Sequence, residues 1–262
     1  MINNKLSLNR NQLKYLVIAA MLIDHIAWAF VPIDSILGQV MHFIGRLTGP
    51  TMAYFVAEGY YYTRNVKKYA LRLGIFALIS WAPFVYFEHG RLPIYMISET
   101  AGGADDPIIN SWHITHQFGV IYTLLLSLLA IWLWDKGKCS KAVKILGIIG
   151  ICILSLFGDW IFFDVLWCLF FFIYRNNTRS KWTAFFCVGI SFCIFQICML
   201  GWIKSIWAFG IFMVPFMLHF CYNGKSGSKN AFHKWFFYIF YPLHLIVIGI
   251  IKWDILMYGV CC

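Results

Sequence analysis

Runs of apolar residues follow one another along almost the whole chain, each long enough to matter to a lipid bilayer. A hydrocarbon core of ~30 Å is crossed by about 20 residues of α-helix, with a working range of roughly 17–25. Nine such runs stand at 13–33, 38–62, 68–88, 116–134, 141–157, 159–174, 182–200, 206–222 and 234–251. Short charged stretches separate them. Only 12% of the 262 residues are charged, about half the share expected of an ordinary soluble domain. The expected fold is therefore all-α: a polytopic transmembrane helix bundle of about nine spans, forming one integral-membrane domain over residues 1–262. The runs at 141–157 and 159–174 are short and adjacent, and as a re-entrant pair they would lower the count to eight. The first run is too long for a signal peptide and no small-residue cleavage site follows it, so it is expected to stay as the first helix.

Basic residues give the orientation, because Lys and Arg resist translocation. With the N-terminus in the cytoplasm, the bilayer's outer side receives only Arg91, Lys204 and Lys252, and Arg46 falls inside a span. The rest of the 21 Lys and Arg, from Lys5 and Arg10 to Lys229 and Lys234, fall on the inner side. The net charge of +10 is thus mostly a topology signal and does not argue for a nucleic-acid partner. The location that follows is the cytoplasmic membrane, crossed many times. The nine cysteines include no C-x-x-C pair, and buried Cys usually packs as a small apolar residue. The terminal Cys261–Cys262 pair would lie outside in this topology, which sets aside a lipidation motif.

Ionisable residues within a span are costly and point to function by default. A rise of ~1.5 Å per residue places His25 roughly 18 Å above the inner edge, Arg46 roughly 12 Å below the outer edge and His244 roughly 15 Å up the last span. Asp24, His25, Arg46 and His244 therefore gather near mid-membrane, with Asp164 above them, roughly 8 Å from the outer edge. Neighbours on a helix point about 100° apart, so Asp24 is poorly placed to orient His25 and better placed to pair with Arg46. A purely structural network could use the same side chains, since buried charge is normally paired with or without chemistry.

Other polar residues carry less. Glu58 and Arg72 fall near inner helix ends, where a solvated or snorkelling role is the default. His113 and His116, in "HITH" of the outer loop 89–115, have a spacing that a metal could use, but no third ligand is fixed and no metal is expected. Gly45, Gly49 and Pro50 suggest close helix packing or a bend around Arg46.

The segments "LKYLVIAAMLIDHIAWAF", "HFIGRLTGPTMAYFVAEGYYYTRNVKKYALRLGIFALISWAPF", "FGVIYTLLLSLLAI", "GDWIFFD" and "FYIFYPLHLIVI" stand in an order and spacing that resembles the TraX family. That family is named for a membrane protein that acetylates the N-terminus of F-type pilin. It is similar in turn to a wider group of integral-membrane acyltransferases that use a histidine near the outer half of the first helix. The resemblance implies acetyl-CoA as a co-substrate used on the cytoplasmic side, and an acceptor reached in or across the bilayer. Position by position it points to Asp24, His25, Arg46, Glu58, Arg64, Arg72 and His244. At Asp159 the chain continues "WIFFD" and lacks the glycine that usually follows the family's aspartate and aromatic.

The residues fit that chemistry. Acyl transfer needs a base, for which histidine suits, and a cation such as Arg46 to stabilise the developing oxyanion. CoA carries phosphates, and Arg64, Lys67, Lys68 and Arg72 offer charge on the donor side, though positive-inside bias alone would also place them there. The expected function is an acetyltransferase acting on an amine or hydroxyl acceptor: a pilin N-terminus, another peptide or a surface molecule. His25, Asp24, Arg46 and His244 form its catalytic set, and Arg64, Lys67, Lys68, Arg72 and Glu58 its donor-binding set. Without the resemblance, a proton-coupled small-molecule transporter built on the same Asp/His/Arg cluster is an equal alternative. A non-catalytic partner of a secretion or conjugation apparatus is a third, and it leaves the cluster unexplained.

Overall fold

The computed structural model describes residues 7–93, 116–228 and 230–257. Lys5, Gly102, Gly103, Asp105, Asp106, Pro107, His113, Lys229, Cys261 and Cys262 lie outside the described residues. Within them the architecture is all-helical, and two isolated bridges, Leu8 with Tyr222 and Phe118 with Gly158, are the β-type pairings present. Five segments are long and apolar enough to cross a membrane: Arg10–Phe30, Val66–His89, Thr178–Leu200, Ile203–Cys221 and Ala231–Leu256. Large aliphatic side chains such as Ile36, Leu78, Leu146 and Ile190 stand exposed on helix surfaces, as they would against lipid.

The ends of the helices follow from their local sequence. α1 (Arg10–Phe30) opens on a capping box in which the Asn9 side chain and Gln12 satisfy each other's backbone N–H groups. It stops where Val31 turns extended ahead of Pro32. Ser35 caps α2 (Ile36–Gly45), and α3 (Thr48–Tyr62) follows after two residues. One continuous run at 38–62 is thus two helices. Pro50 supplies the reason: it has no N–H for the carbonyl of Arg46, and its ring crowds that carbonyl. α4 (Val66–His89) starts at Asn65 and ends at Gly90, which takes a left-handed φ of 70°. α5 (Val120–Lys136), α6 (Lys141–Leu154), α7 (Ile161–Ile173) and α8 (Thr178–Leu200) match four of the expected runs to within a few residues. α9 (Ile203–Cys221) is wound unevenly, as a 3₁₀ stretch over Ile203–Phe212, a single α turn, and a π turn over Met217–Cys221. α10 (Ala231–Gly249) continues as a π helix over Ile250–Met257.

The chain forms two compact units. The first comprises Met1–Glu58 and Leu166–Phe237, the second Gly59–Val165 and Tyr238–Cys262. In the first, α2 lies against both α1 and the 3₁₀ stretch of α9, which also packs on α8. Leu13, Val17, Trp167, Phe185, Trp207 and Ile211 fill its interior. In the second, α5 packs on α4 and α6, around Phe87, Leu128, Ile131, Phe163 and Leu245.

Candidate functional site

The interior of the first unit holds a cluster of charge that its apolar helices could not tolerate unpaired. Asp24 on α1 gives one carboxylate oxygen, Oδ2, to the guanidinium of Arg46. The other, Oδ1, accepts from Nδ1 of His42 at 2.8 Å. His42 and Arg46 stand one turn apart at the C-terminal end of α2, so that a single carboxylate is held from two directions by one helix face. Arg46 is further fixed by a long contact from its Nε to the His42 carbonyl, 3.4 Å, and by the Trp207 ring 4.4 Å beneath its Cζ.

Two glycines allow this approach. A Cβ on Gly45 would run into the side chain of Asp24, and one on Gly210 would run into the Phe43 carbonyl. α2 can therefore lie close to α1 on one side and to α9 on the other. Gln39 adds to the second contact, its side-chain oxygen accepting from the Trp207 backbone N–H at 3.0 Å. The His42 ring is fully buried against Trp28 and Trp207, with centroids 4.5 and 6.0 Å away.

His25 follows Asp24 on α1 and is buried at 7% exposure. The pairing of Asp24 with Arg46 agrees with the 100° argument made above. His42 is the residue which that argument lacks. Its signal in the sequence is the i, i+4 spacing to Arg46 within "HFIGR".

Glu58 also belongs to the first unit, where it is half-buried and paired. Its carboxylate accepts from Arg10 Nε at 2.7 Å and from the Tyr222 hydroxyl at 2.8 and 3.0 Å. The bond ties the start of α1 and the end of α9 to α3. A glutamate held in this way has a structural task whatever else it does.

The second unit carries the remaining candidates. His244 is buried on α10 and donates from Nδ1 to the Phe240 carbonyl at 2.8 Å, with its ring stacked on that of Phe240 at 5.0 Å. Asp164 on α7 is fully buried, and neither of its oxygens has a hydrogen-bond partner among the described residues. Asp159 donates its backbone N–H to the Phe118 carbonyl at 3.0 Å. Arg64, Lys67 and Lys68 stand exposed around the N-terminus of α4, where the helix dipole adds to their attraction for an anion. Arg72, half-buried one turn further on, lies 5.6 Å from the Tyr69 ring.

Comparison with known proteins gives a family and a relative that each cover most of the chain. The sequence profile of the family described as "TraX protein" matches residues 9–252. A relative named "Probable fimbrial assembly protein FimC, serogroup H1", from Dichelobacter nodosus, is 29% identical over 243 residues, which cover 90% of this chain and 93% of the relative. No solved structure matches the chain.

Proposed function

The chain belongs to the TraX family, and from that premise we propose that it is a multi-pass protein of the cytoplasmic membrane that transfers an acetyl group from acetyl-CoA to an amine or hydroxyl. The acceptor is carried by a pilus subunit or another peptide or surface molecule handled in or across the bilayer. The fimbrial assembly name of the Dichelobacter relative supports a pilus-linked setting. The nine runs and their charge asymmetry support nine crossings with the N-terminus inside.

The observation that carries the reading is a buried histidine, His25, beside a carboxylate fixed by an arginine in an apolar core. In the proposed reaction the acceptor nitrogen or oxygen attacks the thioester carbonyl. The new C–N or C–O bond forms as the C–S bond breaks. His25 takes the acceptor's proton and passes it to the departing CoA thiolate, or carries the acetyl group in transit. Asp24 and Arg46 set the field in which His25 works, and His244 stands as a second candidate base. Arg64, Lys67, Lys68 and Arg72 supply the charge that a phosphate-bearing donor needs, because exposed cations at a helix N-terminus suit phosphate oxygens.

The test is transfer of labelled acetyl from acetyl-CoA to a pool of pilin-type peptides by the purified protein in lipid. His25→Ala should remain folded, since an imidazole contributes a few hydrogen bonds of roughly 0.5–1.5 kcal/mol each. Its turnover should fall by about two to four orders of magnitude. Near-normal turnover in a folded His25→Ala protein that still binds CoA would make His25 structural and move the base to His244.

A further inference from the structure

We propose that His42 is a positioning residue of this site, acting on the chemistry by fixing the Asp24 carboxylate beside His25. The inference rests on the acetyl-transfer reading of His25 and adds a side chain absent from it.

The geometry of the carboxylate is the first argument. A guanidinium can take both oxygens of a carboxylate in a fork, which fixes the charge with a single partner. Here Arg46 takes Oδ2, while Oδ1 is given to His42 at 2.8 Å. Two donors on two oxygens fix the direction as well as the charge of the carboxylate. Pre-organisation of that kind is what a reacting group needs from its surroundings.

The ring itself is the second argument. A carboxylate paired with a guanidinium only accepts, so Nδ1 of His42 carries the hydrogen of this bond. Its Nε2 is buried without a hydrogen-bond partner among the described residues. A buried polar atom without a partner is unfavourable whether it bears a hydrogen or a lone pair, and a side chain that served packing alone would avoid it. What the imidazole offers in return is the direction in which its other nitrogen donates. Trp28 and Trp207 pack obliquely on the ring, at 49° and 54°, and Trp207 also lies on Arg46, so one indole neighbours both donors to Asp24. Asp24 immediately precedes His25 on α1, and a carboxylate that cannot turn presents a constant field to its neighbour.

Two substitutions of similar size separate positioning from space-filling. In His42→Asn the amide nitrogen falls near the place of Nδ1 and can still donate to Asp24. In His42→Gln it falls near Nε2 and cannot. The full-length protein in lipid nanodiscs, given acetyl-CoA and a peptide acceptor, should lose kcat by about 10–100-fold in His42→Gln, the usual effect of removing a partner that orients a working group. KM for acetyl-CoA should hold within about twofold, and His42→Asn should stand about tenfold above His42→Gln. Equal rates in the two variants, a wild-type rate in His42→Gln, or a change confined to KM would each overturn the proposal.

A second measurement needs no turnover. The infrared carboxylate stretch that disappears in Asp24→Asn should keep its wild-type frequency in His42→Asn and shift in His42→Gln. An unshifted band in His42→Gln overturns the proposal even if the protein proves active. Wild-type protein that transfers no acetyl group would instead sink the acetyl-transfer reading, with the band still deciding whether His42 directs Asp24.

Discussion

A single missing methyl group decides whether the polar cluster can form. Gly45 faces Asp24 so closely that a Cβ would occupy the carboxylate's place, so Gly45→Ala should push Asp24 off both Arg46 and His42. Overpacking in a tight core costs about 1–3 kcal/mol, and thermal unfolding of the purified protein should show that loss together with a collapse in acetyl transfer. An alanine variant with wild-type melting and rate would mean that α1 and α2 part without consequence. Part of this cluster was legible from residues alone. An aspartate and an arginine at similar depths in hydrocarbon must be paired, and the ~100° between neighbours on a helix already made Arg46 a better partner than His25 for Asp24. His42 escaped because a histidine near the outer end of a span has an easy alternative in the interfacial region. Depth alone does not reveal that an indole on a distant segment has covered it. Glu58 escaped for a related reason. Its partners Arg10 and Tyr222 lie at separations of 48 and 164 residues, far beyond any periodic pattern.

Among the elements, α3 is held at Glu58 to the start of α1 and the end of α9 by one carboxylate that accepts from two donors, Arg10 at 2.7 Å and the Tyr222 hydroxyl at 2.8 Å. Glu58→Ala would leave the Arg10 guanidinium and the Tyr222 hydroxyl without that acceptor. The expected loss is about 1–3 kcal/mol, the scale for stranding buried donors, at the low end because both ionic partners retain some solvent contact that screens them. Tyr222→Phe, which removes one donor and strands nothing, should cost less, roughly 0.5–1.5 kcal/mol. Denaturant titration of the two variants orders them, and an equal or reversed order would show that the tie is incidental. Helix existence was readable from apolar length, and the observed helices follow the expected runs closely at most of their ends. The division of 38–62 into α2 and α3 was only hinted at by Gly45, Gly49 and Pro50. Hydropathy averages over a break of two residues, and the cause is a lost hydrogen bond at Arg46, which hydropathy does not register. The 3₁₀ and π winding of α9 had no sequence signal of this kind.

For the whole molecule, the proposed nine crossings leave the N-terminus inside and the C-terminus outside. A reporter fused after residue 262 should then be modified only from the outer side, and one fused before residue 1 only from the cytoplasm. A C-terminal reporter reached only from the cytoplasm would instead support eight crossings, with 141–174 dipping in and returning. Either result bears on how an acceptor would be met by a donor that the proposed function draws from the cytoplasm.

The uneven winding of α9 also bears on the lipid around it. Its nineteen residues as a regular α-helix would reach ~28 Å, slightly less than a ~30 Å hydrocarbon core. The ten residues wound as 3₁₀ gain about 5 Å over α winding. A thicker membrane favours the stretched form and a thinner one the relaxed form, so hydrophobic mismatch acts on this segment through its pitch as well as its tilt. Each residue that converts turns by about 20° relative to the next. Trp207 sits in the middle of that stretch with its ring on Arg46, so a change in bilayer thickness would reach the charged cluster as a rotation.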